Sequence, residues 1–230
     1  ELASIDSPSS EEAAIAEHLT GRLKSLELEV AEDAYGNLIA SDGRDNPFML
    51  SAHMDTVEPG RGVKPVVDGD RISSDGTTIL GGDCKAGLTA ILEALESLQE
   101  DGAPHIPIEV VCTREEELGL TGARNLDFSM IRSTEAIVFD GEGPPSQITA
   151  SSPTYIGFDV EITGRAAHAG MEPEKGLSAI RIAAELISIL PNGRLDSETT
   201  FNIGTIEAGN VRNSVPENAV LRGEFRSMNL

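Results

Sequence analysis

Apolar positions in this 230-residue chain first recur at a helical spacing. Ala13, Ile15, Ala16, Leu19 and Leu23 line one face of a helix that runs to about residue 25. Ser9 and Glu12, three residues apart and just ahead of it, have the form of a capping box with Ser9 as N-cap. The pattern then shortens. Residues 26–30 and 37–40 read as strands around Tyr35-Gly36-Asn37, and residues 47–52 as a short apolar strand running into His53. Residues 66–72 carry an Asp-Gly hairpin signal. A glycine-rich turn, residues 77–87, opens a helix over 88–98. Residues 108–113 are mostly apolar and β-branched, which predicts a central strand. A helix from 121 to 126 and a buried strand over 136–139 follow. Strands alternating with helices predict an α/β domain over residues 1–150, a mostly parallel sheet flanked by helices.

The pattern changes after a linker-like stretch, residues 141–153. Residues 155–163 alternate apolar and polar side chains, as a half-exposed antiparallel strand does. An amphipathic helix over 177–190 stops at Pro191, and two more alternating strands span 200–207 and 219–227. These predict a second, smaller α+β domain over residues 151–230.

Charge narrows the choice of partner. Thirty-nine acidic against 17 basic side chains give a net charge of −22, which repels nucleic-acid phosphate and anionic lipid. Neither nucleic acid nor membrane is therefore an expected partner, and no apolar run is long enough to span a bilayer. Cys84 and Cys112 are too few for a disulfide framework. Reduced buried thiols, and a first few residues with no basic leader, lead to the expectation of a cytoplasmic protein. The carboxylate excess suits divalent cations.

Candidate chemistry clusters where strands end. His53 and Asp55 follow one strand, Asp83 sits in the glycine turn, Glu116 and Glu117 follow another strand, and Asp140 follows a third. Open α/β sheets build their sites at such ends. One strand-end histidine is ordinarily a satisfied core or loop residue. Four groups meeting at one sheet edge are hard to explain by packing, because unpaired buried carboxylates are costly and a cation cancels that cost. Oxygen donors with an imidazole suit zinc, cobalt or manganese. In His53-Met54-Asp55 the aspartate is placed to accept from the imidazole nitrogen that faces away from a metal. In a Glu-Glu pair one carboxylate can ligate while its neighbour takes a proton from water, which bound cations acidify to a pKa near ~7.

The stretches SAHMDTV, LGGDCKAG, TREEELG and VFDGEG, in this order and spacing, resemble the dizinc peptidases related to peptidase T, the tripeptide aminopeptidase. The wider family includes carboxypeptidases, aminoacylases and other amide hydrolases. The resemblance runs over nearly the whole chain and implies two divalent ions, zinc above all, with cobalt or manganese as alternatives. By motif, His53 and Asp140 would ligate the first ion, Asp83 would bridge the two, and Glu117 would ligate the second. Glu116 would be the general base and Asp55 would orient His53. Glu-Glu-x-Gly ahead of Gly119 sets this register and leaves Glu115 at a variable position. Cys84 is taken as a non-ligand.

The second domain resembles the family's lid, which also makes its dimer contact. In GRAAHAG, residues 164–170, His168 would reach the partner subunit's site and polarise the scissile carbonyl. Asn213, before Ser214-Val215-Pro216, matches an asparagine that contacts substrate. His18 and His105 read as surface residues. The family's later histidine, a ligand of the second metal, has no counterpart after His168. The resemblance thus implies a chain without the family's C-terminal segment and a second site one ligand short. The expected activity is hydrolysis of short peptides at the free amino end by a homodimer. The alternatives are an N-acyl amino acid deacylase and an inactive dimerisation or peptide-binding module.

Overall fold

The computed structural model describes residues 1–141, 143–144 and 146–229. Glu142 and Pro145 of the linker-like stretch, and Leu230, lie outside the described residues. The chain forms two compact units, Glu1–Ser146 and Gln147–Leu230.

The first unit contains helix α1 (Ala13–Ser25), strands β1 (Glu29–Glu32), β2 (Leu38–Ser41) and β3 (Phe48–His53), and the hairpin β4 (Pro65–Asp68) and β5 (Arg71–Ser74). Helix α2 (Gly82–Asp101), strand β6 (Ile108–Thr113), helix α3 (Thr121–Arg124) and strand β7 (Ala136–Val138) complete it. Five strands make one sheet in the order β1-β2-β6-β3-β7. The sheet is mixed, which corrects the expectation of a mostly parallel one. β3 pairs in parallel with β6 and β7, whereas β1–β2 and β2–β6 are antiparallel. The cause is connection length. Residues 33–37 make a turn that can only reverse the chain, whereas the long crossover through α2 lets β6 run alongside β3.

The core follows the helical spacing. Ile15, Leu19 and Leu23 of α1 and Leu88, Ile91 and Leu95 of α2 pack with Val110 and Cys112 of β6, all buried. α1 ends in a Schellman motif, with Leu28 N donating to Leu23 O, Glu27 N to Lys24 O, and Glu27 at φ +62. That turn takes up Leu26 and Leu28, so β1 starts at Glu29 rather than near residue 26. Two expectations fail here for tertiary reasons. Ser9 does not cap α1: Glu12 occupies the N-cap position without a capping side-chain bond and is fully buried. β7 is not buried, because it forms the outer edge of the sheet and all three of its residues are exposed.

The turn between β1 and β2 is held by Asp33. Its carboxylate accepts from the backbone N–H groups of Tyr35, Gly36 and Asn37, each at 2.9 Å, and from Asn37 Nδ2 at 2.8 Å. Burial alone would raise its pKa, but these donors outweigh burial and hold the group below the usual aspartate value. A depressed folded pKa means stability that is present above the unfolded value of about 3.9 and is lost as pH falls through the folded value. Asp33→Asn is therefore expected to flatten the acid limb of melting temperature against pH below about pH 4. An unchanged acid limb in calorimetry would count against this role.

The second unit contains β8 (Thr154–Thr163), β9 (Ala167–His168), α4 (Ala179–Ile189), β10 (Gly193–Arg194), β11 (Thr199–Ala208), β12 (Ser214–Val215) and β13 (Asn218–Ser227). Its four-stranded sheet, β10-β11-β13-β8, is antiparallel throughout. α4 covers one face: Ala179 and Ala183 are buried with Ala219 and Leu221, and Val160, Ile162, Leu186 and Ile203 pack around them. The period-2 pattern of β8 and β13 thus places its apolar set under the helix. Among the described residues no helix is long and apolar enough to cross a membrane.

Candidate metal centre

Three parallel strands end side by side, and each delivers a donor. β3 ends at His53, opposite Thr113 at the end of β6. Met54 N donates to Thr113 O at 2.8 Å, and Phe139 N to Ser51 O at 2.8 Å, so the pairing carries on past both strand ends. Glu116 and Glu117 lie on the loop after β6, and Asp140 lies just beyond β7. Asp83 sits at the start of α2, where Asp83 and Cys84 depart from helical backbone angles. Gly87 lets this end of the helix approach: a Cβ there would stand 2.2 Å from Phe139 O.

His53 is 3% exposed and stands at the centre. Its Nε2 lies 3.1 Å from Asp83 Oδ1 and 3.7 Å from Asp140 Oδ1, and its Nδ1 lies 3.3 Å from Asp55 Oδ1. Donor atoms of His53, Asp83, Cys84 and Asp140 all fall within 4.8 Å of one another, and so do those of His53, Glu116 and Glu117. Cys84 is otherwise engaged. Its Sγ donates to Phe139 O at 2.7 Å, and burial pushes the thiol up to about 12, so it keeps its proton. Glu115 turns away, accepting from Ser10 Oγ at 2.7 Å and from the Tyr35 hydroxyl.

Asp55 ties the pieces together. It is fully buried, accepts from Glu116 N at 2.9 Å on Oδ1, and accepts from Glu117 N at 3.2 Å and Ser9 Oγ at 2.7 Å on Oδ2. Burial opposes its charge, but His53 and these donors prevail and lower its pKa to about 2. The loop itself is anchored by Glu12, which accepts from Arg114 Nε at 2.9 Å and from Glu115 N at 3.1 Å. Arg114 N in turn donates to Asn37 Oδ1 at 3.1 Å. Sequence reasoning missed Ser9, Ser10, Glu12, Tyr35 and Arg114. Their partners lie 46 to 105 residues away, and the local pattern of Ser9 and Glu12 resembles a helix cap.

In the second unit β9 pairs with β12, with His168 opposite Ser214. Ala169 N donates to Asn213 O at 3.0 Å, so His168 and Asn213 share one loop cluster. His168 is exposed, and its Nδ1 accepts from Gly170 N at 3.2 Å. His105 is exposed as well, but His18 is half-buried, a departure from its reading as a surface residue.

Comparison with known proteins gives this geometry a context. Residues 36–140 match the family model described as peptidase family M28, and residues 151–230 match the peptidase dimerisation domain. The crystal structure of aminopeptidase PepT from Bacillus cereus aligns with a TM-score of 0.90 at 42% identity. That of a tripeptidase from Staphylococcus aureus gives 0.92 at 37%. Each alignment covers 99% of this chain and 64% of the other. Peptidase T of Haemophilus influenzae is 30% identical over 181 residues, 79% of this chain and 42% of that protein. Over nearly its whole length the chain is similar to peptidase T-like aminopeptidases and tripeptidases. The uncharacterized protein YqjE of Bacillus subtilis, 43% identical over 239 residues, covers 99% of this chain and 64% of its own length. The chain thus spans a little under two thirds of the length of the Bacillus and Staphylococcus relatives and less than half of the Haemophilus one.

The divalent cations used by the peptidase T family fit the residues present. Burial raises the pKa of Asp140 to about 6, and Asp83 and Glu117 add to the rise while His53 opposes it. Burial likewise raises Glu116 and Glu117, and neighbouring carboxylates raise them further. These groups repel one another around one imidazole. A cation relieves that repulsion, and the imidazole–oxygen donor set suits zinc, cobalt or manganese.

Proposed function

We propose that this chain carries the metal centre of an aminopeptidase for short peptides. The observation that supports it is the convergence of His53, Asp83 and Asp140 with Glu116 and Glu117 at the ends of three parallel strands. His53 and Asp140 would hold one ion, Glu117 a second, and Asp83 both, with zinc the leading candidate and cobalt or manganese as alternatives. Bound there, divalent cations supply Lewis acidity to a scissile carbonyl and acidify water.

The chain's own residues do the rest. Glu116 takes a proton from the attacking water on a carboxylate oxygen and later gives it to the leaving amine. Asp55 fixes the His53 ring from the side away from Asp83. His168, donating a hydrogen bond to the carbonyl oxygen, and Asn213 are assigned to substrate contact. The match of residues 151–230 to the peptidase dimerisation domain supports a homodimer formed through the second unit. Buried free Cys84 and Cys112 suit a reducing cytoplasm.

Chelation tests the assignment. In the whole protein, removal of divalent ions is expected to abolish hydrolysis of a tripeptide with a free amino end, and added Zn²⁺ to restore it. Faster cleavage of N-acyl amino acids than of peptides would favour a deacylase. A protein that holds no divalent ion would be a binding module rather than an enzyme.

A further inference from the structure

The segment ahead of α1 is built into the frame of the metal centre. Thr56 N donates to Ser7 O at 2.9 Å, which lays this segment alongside the residues after β3. Ser9 then donates to Asp55 and Ser10 donates to Glu115, each at 2.7 Å. The two hydroxyls grip opposite flanks of the Glu116–Glu117 pair. On one flank, Asp55 Oδ2 is shared between Ser9 Oγ and Glu117 N, while Oδ1 serves Glu116 N. The terminal torsion of an aspartate is broad, so the direction of this carboxylate depends on its donors. Without the Ser9 hydroxyl, Oδ2 keeps only the longer bond from Glu117 N, at 3.2 Å. On the other flank, Glu115 sits at φ +48, a left-handed conformation that costs a non-glycine residue energy. Ser10 and Tyr35 hold its carboxylate there.

We propose that Ser9 and Ser10 are positioning residues of the metal centre, Ser9 acting through Asp55 and Ser10 through Glu115 to hold Glu116 and Glu117 in place. The proposal rests on reading the His53 cluster as a cation site. It extends the second layer of that site to a segment more than forty residues before the first ligand. Hydrogen-bonded groups behind metal ligands are worth about 10- to 100-fold in metal affinity.

The test is a titration of the full chain with Co²⁺, reading affinity and the visible absorption band of the bound ion. Ser9→Ala is expected to weaken Co²⁺ binding about tenfold and to shift the band, and Ser9→Thr, which keeps the hydroxyl, to restore both. Ser10→Gly accommodates the left-handed backbone at this position, φ +73, and removes the hydroxymethyl group that donates to Glu115. It is expected to change affinity and band in the same direction, and it carries the test alone should Ser9→Ala fail to fold. Wild-type affinity and an unshifted band in these variants overturn the proposal. A wild-type chain that takes up no Co²⁺ overturns the cation-site reading beneath it, so the two failures are told apart.

Discussion

Glu116→Gln is expected to lower peptide hydrolysis by the whole protein about 10³-fold while leaving the bound metal in place. Glutamine keeps the size of the side chain and the backbone N–H that donates to Asp55. It lacks a carboxylate able to take a proton from water. The donors of His53, Asp83, Asp140 and Glu117 are untouched, so metal content should not fall. The check is a tripeptide assay beside elemental analysis of the same preparation. Turnover equal to wild type would reject Glu116 as the base. Loss of metal together with turnover would instead place Glu116 among the ligands.

The second large effect concerns stability. Glu12→Ala is expected to cost about 3–5 kcal/mol of unfolding free energy in the first unit. Glu12 is fully buried and pairs with Arg114, whose Nη2 lies 2.8 Å from Oε2. Its Oε1 also accepts from Ser10 N and Glu115 N. Removing the carboxylate leaves a half-buried guanidinium and two backbone donors without their acceptor. The melting temperature of that unit should fall by roughly 10 °C. Glu12→Gln keeps an acceptor for the N–H groups and should lose clearly less. Calorimetry on the three proteins decides, and a melting temperature for Glu12→Ala within about 2 °C of wild type would show that the pair contributes little. The loop held by this pair carries Glu116 and Glu117, so weakened metal binding should accompany the loss.

Much of the architecture was legible because periodicity reports burial directly. Ile15, Leu19 and Leu23 repeat every four residues, and all three are in the core. β3 and β6 fall within about a residue of their expected limits. The antiparallel pairing of β2 with β6 was not legible, because an apolar strand carries no mark of which way a distant neighbour runs. β7 misled for a related reason: its composition suits a central strand, but its place at the sheet edge leaves Ile137 and Val138 exposed.

The metal centre divides in the same way. The residues that gather around His53 were visible in the sequence because histidine and carboxylates recur at strand ends, and a parallel pairing such as β3 with β6 brings those ends together. The family was visible too, through four short stretches in order. What the sequence by itself determined is the identity of the groups and the edge of the fold to which they belong, since both follow from local pattern. Only the tertiary structure decided that Glu115 accepts from Ser10 and Tyr35, and that Ser9 and Glu12 brace this loop rather than a helix end. Those choices depend on which donor lies nearest in space. Folding brings together residues far apart along the chain, and no local pattern records their meeting.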